Sequence, residues 1–174
     1  QSQFNRGNIW QAIGSLREAH RLDPYNTETA LRLGLALIEN RIYDQAYAVL
    51  AAAAAYAPNF PDLWEPLMAA SYQDKRYADT IQACDWMLYY HIHEEEAYTN
   101  KAAAWGSLGQ LQQAWITLRQ AEQRFPNSGK VQLNLAITLY KMGLHKGAVQ
   151  AWKKAARLVP SDPQVDQLRK VLHP

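Results

Sequence analysis

His91, His93, Glu94, Glu95 and Glu96 bring two imidazoles and three carboxylates into one short segment, a donor set that could hold zinc or copper. The competing reading is a helix start, because acidic residues in a first helical turn favour the macrodipole with no metal bound. That reading is preferred, and neither a metal nor another cofactor is expected. Cys84 is the single cysteine and the obvious nucleophile to consider. It falls in phase with apolar core positions and has no activating cation beside it in sequence, so it reads as an inert packed thiol. The sequence contains no Gly-rich phosphate loop, no His-Glu-x-x-His and no nucleophile elbow. No catalytic residue is assigned, and the chain is read as non-enzymatic.

The elements that carry these residues have to come from an ordinary globular composition: 48% hydrophobic, 20% charged, formal charge +2. One compact domain or a short run of repeats fits the length without disulfide or metal staples. A lone cysteine cannot form an internal disulfide, which leaves cytoplasm, periplasm and exterior all open as compartments. The longest apolar run, Ala46 to Ala57, is far shorter than a membrane span requires, so direct membrane insertion is not expected. The opening Gln-Ser-Gln-Phe-Asn-Arg lacks both Met and an apolar signal segment and reads as the start of a piece of a longer protein. Charge is uneven: residues 61–94 carry two basic against six acidic side chains, and residues 127–174 carry eight against two. Such asymmetry steers partners and leaves the fold unchanged.

Pro24, Pro58, Pro126 and Pro160 keep a common phase, the middle interval being twice the outer two, and that ruler organises the whole sequence. Ala12, Ala46, Ala114 and Ala148 form one column, and Ala19, Ala53, Ala121 and Ala155 a second. A third reads Gly7, Arg41, Lys75, Gly109 and Gly143; a fourth reads Leu16, Leu50, Cys84, Leu118 and Trp152. The glycines stand where a first helix ends in a left-handed residue. Alanines seven apart share one helical face and let a neighbouring helix approach closely. The prolines end a second helix, and Asn26, Asn59, Asn127 or Ser128, and Asp162 offer oxygens to cap the next. Helices are predicted at 8–22, 27–40, 43–56, 62–73, 77–90, 95–108, 111–124, 129–142, 145–158 and 163–172. No stretch shows the period-2 alternation of a strand.

This pattern resembles the tetratricopeptide repeat (TPR) over essentially the whole chain. It is carried by Leu33, Gly34, Leu37, Ala46, Leu50, Ala53 and Pro58 in one repeat and by Trp64, Leu67 and Tyr77 in the next. Tyr98, Trp105, Gly109, Ala114, Leu118, Ala121 and Pro126 carry it in the following repeat, and Leu135, Ala136, Gly143, Ala148, Trp152, Ala155 and Pro160 in the last. Pentatricopeptide RNA readers have a similar period but lack the proline phase, and a nucleic-acid partner is not expected. The resemblance implies an all-α fold, a right-handed α-solenoid of stacked helix-turn-helix units. The segments are 1–26, a partial first repeat with its second helix only; 27–60; 61–94, a degenerate repeat; 95–128; 129–162; and 163–174, a C-terminal capping helix. Val165, Leu168 and Val171 would pack that cap. In the degenerate repeat Met68, Lys75, Thr80, Met87 and Ile92 replace small, turn and proline residues, and larger side chains there are expected to splay the helix pair. Trp64, Trp105 and Trp152 fall in core columns, whereas phase leaves Trp10, Trp86 and Trp115 undecided.

In the TPR family the concave surface comes from the first helix of each pair. Carried over by position, that surface holds Leu31, Leu35 and Ile38; Glu65, Ala69 and Tyr72; Asn100 and Ala103; and Lys130, Leu133, Asn134, Ile137, Tyr140 and Lys141. No repeat has the Lys and Asn pairing of the carboxylate clamp that grips chaperone tails. The resemblance therefore implies a protein-interaction scaffold whose groove takes a peptide or helix with apolar anchors. Two alternatives stand beside it. One is a homo-oligomeric structural module joined through an N-terminal edge of Ile9, Trp10 and Ile13, with the Phe4 region as another cover for that edge. The other is the recruiting segment of a larger enzyme or of an envelope or polysaccharide-secretion protein.

Overall fold

The structure, a computed structural model, describes the backbone of residues 2–172 and the side chains of residues 9–172. The chain divides into two compact units, Gln1–Ile92 and His93–Pro174. Unit 1 contains α1 (Ser2–Leu22), α2 (Thr27–Glu39), α3 (Tyr43–Tyr56), a 3-10 turn (Pro61–Leu63), α4 (Trp64–Gln73) and α5 (Tyr77–Tyr89). Unit 2 contains α6 (Glu94–Ser107), α7 (Leu111–Arg124), α8 (Gly129–Lys141), α9 (His145–Leu158) and α10 (Pro163–Leu172). Every element among the described residues is helical, and none is long and apolar enough to cross a membrane. In unit 1, α2 pairs with α3 and α4 with α5; in unit 2, α6 pairs with α7 and α8 with α9.

The first helices end in the same hydrogen-bonded turn. Ile42, Arg76, Gln110 and Leu144 each donate a backbone N–H to a carbonyl in the preceding turn, those of Leu37, Ser71, Trp105 and Leu139 respectively. This is a Schellman closure, which needs one left-handed residue. Arg41 and Lys75 at φ 61°, and Gly109 and Gly143 at φ 75°, supply it. The third column of the sequence is thus a backbone requirement that two repeats meet with glycine and two meet under strain. Gly7 does not share it, because α1 begins at Ser2 and runs helically through residue 7 instead of starting at residue 8. Replacing Arg41 or Lys75 by glycine is expected to raise stability by about 0.5–1 kcal/mol each, since the left-handed penalty exceeds the added unfolded-chain entropy. Urea denaturation measures this, and variants no more stable than the parent would contradict it.

The second helices end in two ways. Ala57, Phe125 and Val159 precede proline and leave the helical region, at φ −129°, −127° and −135°. The proline ring forbids the α conformation there and removes the N–H that a Schellman turn requires. Ile92 stands where that proline is missing. Its N–H donates to Met87 O at 2.8 Å, and His91 turns left-handed at φ 57°. Loss of one proline therefore converts the exit of α5 into the closure used elsewhere by first helices.

Packing follows the columns closely. A Cβ on Gly34 would lie 2.5 Å from Leu50 Cγ, so the small residue exists to admit the large one. In the next repeat the same two columns read Met68 and Cys84, both buried, so volume has moved from one helix to its partner. Met87 and Thr80 are buried as well, and Thr80 Oγ1 is 3.0 Å from Ser71 Oγ. The degenerate repeat thus keeps a filled core with redistributed volume. Unit 2 closes on α10, whose Val165 and Leu168 are buried while Val165 O accepts a 2.9 Å hydrogen bond from Trp152 Nε1. Val171 is exposed, contrary to expectation, and Leu172 packs on the core in its place. Caps also differ in part: Asn26, Ser128 and Asp162 accept from backbone N–H groups of Thr29, Val131 and Gln164. Asn59 does not cap, because Phe60 precedes a turn that opens on Pro61.

Candidate functional site: first-helix grooves

The groove residues expected from repeat position divide between the two units. In unit 1 they lie on α2 and α4. Leu35 is 42% exposed, whereas Leu31, Ile38, Glu65, Ala69 and Tyr72 are half-buried. Tyr72 packs edge-on against Tyr77 with ring centroids 5.8 Å apart. In unit 2, Asn100 and Ala103 of α6 meet Lys130, Leu133 and Asn134 of α8 around a cavity of about 540 Å³. Val159, Asp162, Pro163 and Gln164 close its far side. Each first helix contributes because α6, α8 and α10 stand at the same phase of the repeat.

The chemistry of this cavity is mixed. Leu133 is only 2% exposed and forms an apolar floor, so it is a packing residue as much as a contact residue. Asn134 Nδ2 donates to Lys130 O at 2.9 Å, which fixes the amide and keeps its carbonyl oxygen as an acceptor. Lys130 is exposed at the rim. Such a surface can hydrogen-bond an extended backbone and seat one apolar anchor. Ile137, Tyr140 and Lys141 lie farther along α8, outside the lining of the cavity. Ile137 packs on the core of unit 2, and Tyr140 packs edge-on against His145 at 5.6 Å.

Two carboxylates of the histidine and glutamate cluster are engaged with the fold. Arg124 grips Glu94, with Nη2 to Oε1 at 2.7 Å, and Ser128 Oγ donates to Glu95 at 2.8 Å. Both contacts tie the start of α6 to the end of α7 and the turn after it. His91 and His93 are exposed, and both have positive φ. Cys84 is fully buried, as its column required. At the N-terminal edge, Ile13 is buried whereas Ile9 and Trp10 are exposed, Trp10 at 53%. The Phe4 side chain lies outside the described residues.

Two features escaped the sequence reading. Tyr56 and Tyr90, one repeat period apart, donate their hydroxyls to Pro24 O and Pro58 O at 3.0 and 3.2 Å, each stapling one repeat to the turn before it. The pairing of a helix-end tyrosine with a proline almost one period earlier was the available signal. The second feature is a polar knot in unit 2. Gln132, only 1% exposed, donates Nε2 to Glu122 Oε1 at 2.9 Å; Lys154 Nζ reaches the same oxygen at 3.1 Å, and Arg119 pairs with Oε2. Burial is the largest single influence on Glu122 and works to raise its pKa. The hydrogen bonds from Gln132 and Lys154, with the charges of Lys154 and Arg119, together outweigh it and hold the carboxyl below the usual carboxylate range.

In-phase helical hairpins, recurrent left-handed turns and compensating core columns define an all-α helical-repeat protein of the solenoid class. Residues 5–71 match the tetratricopeptide repeat family model, and similar solved structures share the fold over nearly the whole chain. MamA 41-end from Desulfovibrio magneticus RS-1 superposes with a TM-score of 0.77 at 21% identity, covering 94% of this chain and 92% of that one. MamA of AMB-1 gives 0.73 at 25% identity, covering 90% and 92%. A further MamA crystal structure gives 0.78 at 19%, covering 91% and 87%. No curated protein sequence matches the chain.

Proposed function

We propose that this chain is a non-enzymatic protein-interaction scaffold that receives a peptide or helix of a partner on the faces of its first helices. The observation carrying this reading is the cavity of unit 2. Asn100, Ala103, Lys130, Leu133 and Asn134, selected by repeat position alone, converge on it. Its apolar floor and amide rim suit a main chain with an apolar anchor better than a bare anion. The test is selection of binding peptides by display, followed by amide NMR of the labelled chain. A selected peptide should shift the side-chain amides of Asn100 and Asn134; a footprint avoiding both would sink the proposal.

Self-association is a second reading, favoured by the exposure of Trp10 beside Ile9 on α1. Exposed large apolar groups side by side seek a cover. Sedimentation should show concentration-dependent association that Trp10→Ala abolishes. A monomer at high concentration would remove this reading without touching the groove.

A further inference from the structure

Two clefts of equal size, one per unit, sit on matching repeat positions away from the first-helix grooves. In unit 1 the cleft lies between α3 and α5 over α4, holds about 320 Å³ and is lined by Ala51, Ala54, Trp64, Asp79 and Trp86 among others. In unit 2 the equivalent cleft, two repeat periods farther along the chain, lies between α7 and α9 over α8 and also holds about 320 Å³. Ala51 corresponds to Arg119, Ala54 to Glu122, Trp64 to Gln132 and Trp86 to Lys154. The pair forms an internal comparison of one backbone site with two linings.

In unit 2 the site satisfies itself. The buried donor of the first helix, Gln132 Nε2, is answered by Glu122, and the carboxylate is balanced by Arg119 and Lys154. In unit 1 the buried donor is Trp64 Nε1, on a side chain 5% exposed, and it has no hydrogen-bond acceptor among the described residues. Buried indole N–H groups ordinarily find a partner. The position that would supply one carries Ala54, and the positions of both balancing cations carry Ala51 and Trp86. Trp86 stacks on Trp64 with centroids 5.0 Å apart and an interplanar angle of 13°, giving the cleft an aromatic wall.

We infer that the unit 1 cleft binds an apolar residue of a partner peptide, whose entry shifts the side chains that cover Trp64 Nε1 so that a main-chain carbonyl of that peptide accepts from it. A neutral acceptor suits the site, because no cation lines the cleft, Arg76 over the Tyr47 ring is paired with Asp74, and Asp79, which accepts from Tyr47 at 2.9 Å, adds negative charge at the rim. The remainder of the occupant is mainly apolar, because alanines, tryptophans, Leu67 and Pro58 make up most of the lining beside Tyr47, Asp79 and Gln82. A cavity near the lower end of the usual range for ligand sites, about 300–1,000 Å³, takes one side chain and its carbonyl and little more.

The probe is N-acetyl-leucine methylamide, which has the aliphatic group and neutral carbonyls and no charge. It is titrated into ¹⁵N-labelled protein, with the Trp64 indole resonance assigned through Trp64→Phe. Expected is a saturable downfield shift of that proton at millimolar probe, the affinity range natural to so small a ligand. Ala55→Phe, at an exposed position lining the cleft, should weaken binding at least about tenfold. Ala54→Glu, which recreates the unit 2 pair, should abolish the shift. Leu35→Glu should leave it unchanged, which separates this site from the groove. No saturable shift, with the indole proton exchanging only with water, would mean solvent alone fills the cleft and would overturn the inference. An undiminished response in folded Ala55→Phe would overturn it equally.

Discussion

Glu122→Ala is expected to lower the stability of unit 2 by about 1–3 kcal/mol at neutral pH, because it strands the buried amide of Gln132 without an acceptor. Lys154→Ala should cost less: its ammonium is largely exposed, and screened pairs of that kind contribute about 0–1 kcal/mol. Glu122→Gln keeps an acceptor oxygen and should fall between them. The pH dependence follows from the depressed pKa of Glu122. A carboxyl held lower in the folded state stabilises the fold above its unfolded value of about 4.3, and that contribution fades as pH falls through the folded value. The gap between parent and Glu122→Ala should therefore narrow in acid and widen toward neutrality. Denaturant titrations at several pH values decide it, and a difference constant with pH would show that Glu122 acts by packing alone.

That knot illustrates where the sequence was opaque. The columns at the repeat spacing carried the helices because small residues, turns and prolines act locally, each through its own backbone or its own packing partner. Gly34 against Leu50 is such a case, and so are the left-handed positions at Gly109 and Gly143. Arg41 and Lys75 occupy the same left-handed position without the glycine that announces it, and only their phase gave them away. Glu122, Gln132 and Lys154 come from three different helices, and nothing in their spacing distinguishes a buried network from solvated charge. Trp64 was legible as a core residue, but its unmet N–H was not. That depends on which side chain stands opposite, at Ala54.

Repeat position assigned the groove residues to first-helix faces without fixing the depth of each. Leu35 and Ile137 therefore should behave differently, although both were assigned to the same surface. Leu35 is 42% exposed on α2, so Leu35→Glu costs little burial and should leave the melting temperature within about a degree or two of the parent. If unit 1 takes an anchor there, partner affinity should fall by about tenfold to a hundredfold, the usual loss for a buried contact worth about 1–3 kcal/mol. Ile137 packs against the core of unit 2, and Ile137→Glu should lower the melting temperature outright, so any loss of binding would follow from loss of fold. Ala103→Arg is the cleaner variant for unit 2. Ala103 lines the cavity beside Asn100 and Asn134, and a guanidinium there fills the space a ligand backbone needs while its long stem can reach solvent. It should abolish the amide shifts of a bound peptide at Asn100 and Asn134 with helicity retained. Circular dichroism melts and titration of the same display-selected peptide, run on all three variants, separate packing from recognition. Full affinity in both Leu35→Glu and Ala103→Arg would place the partner elsewhere on the molecule.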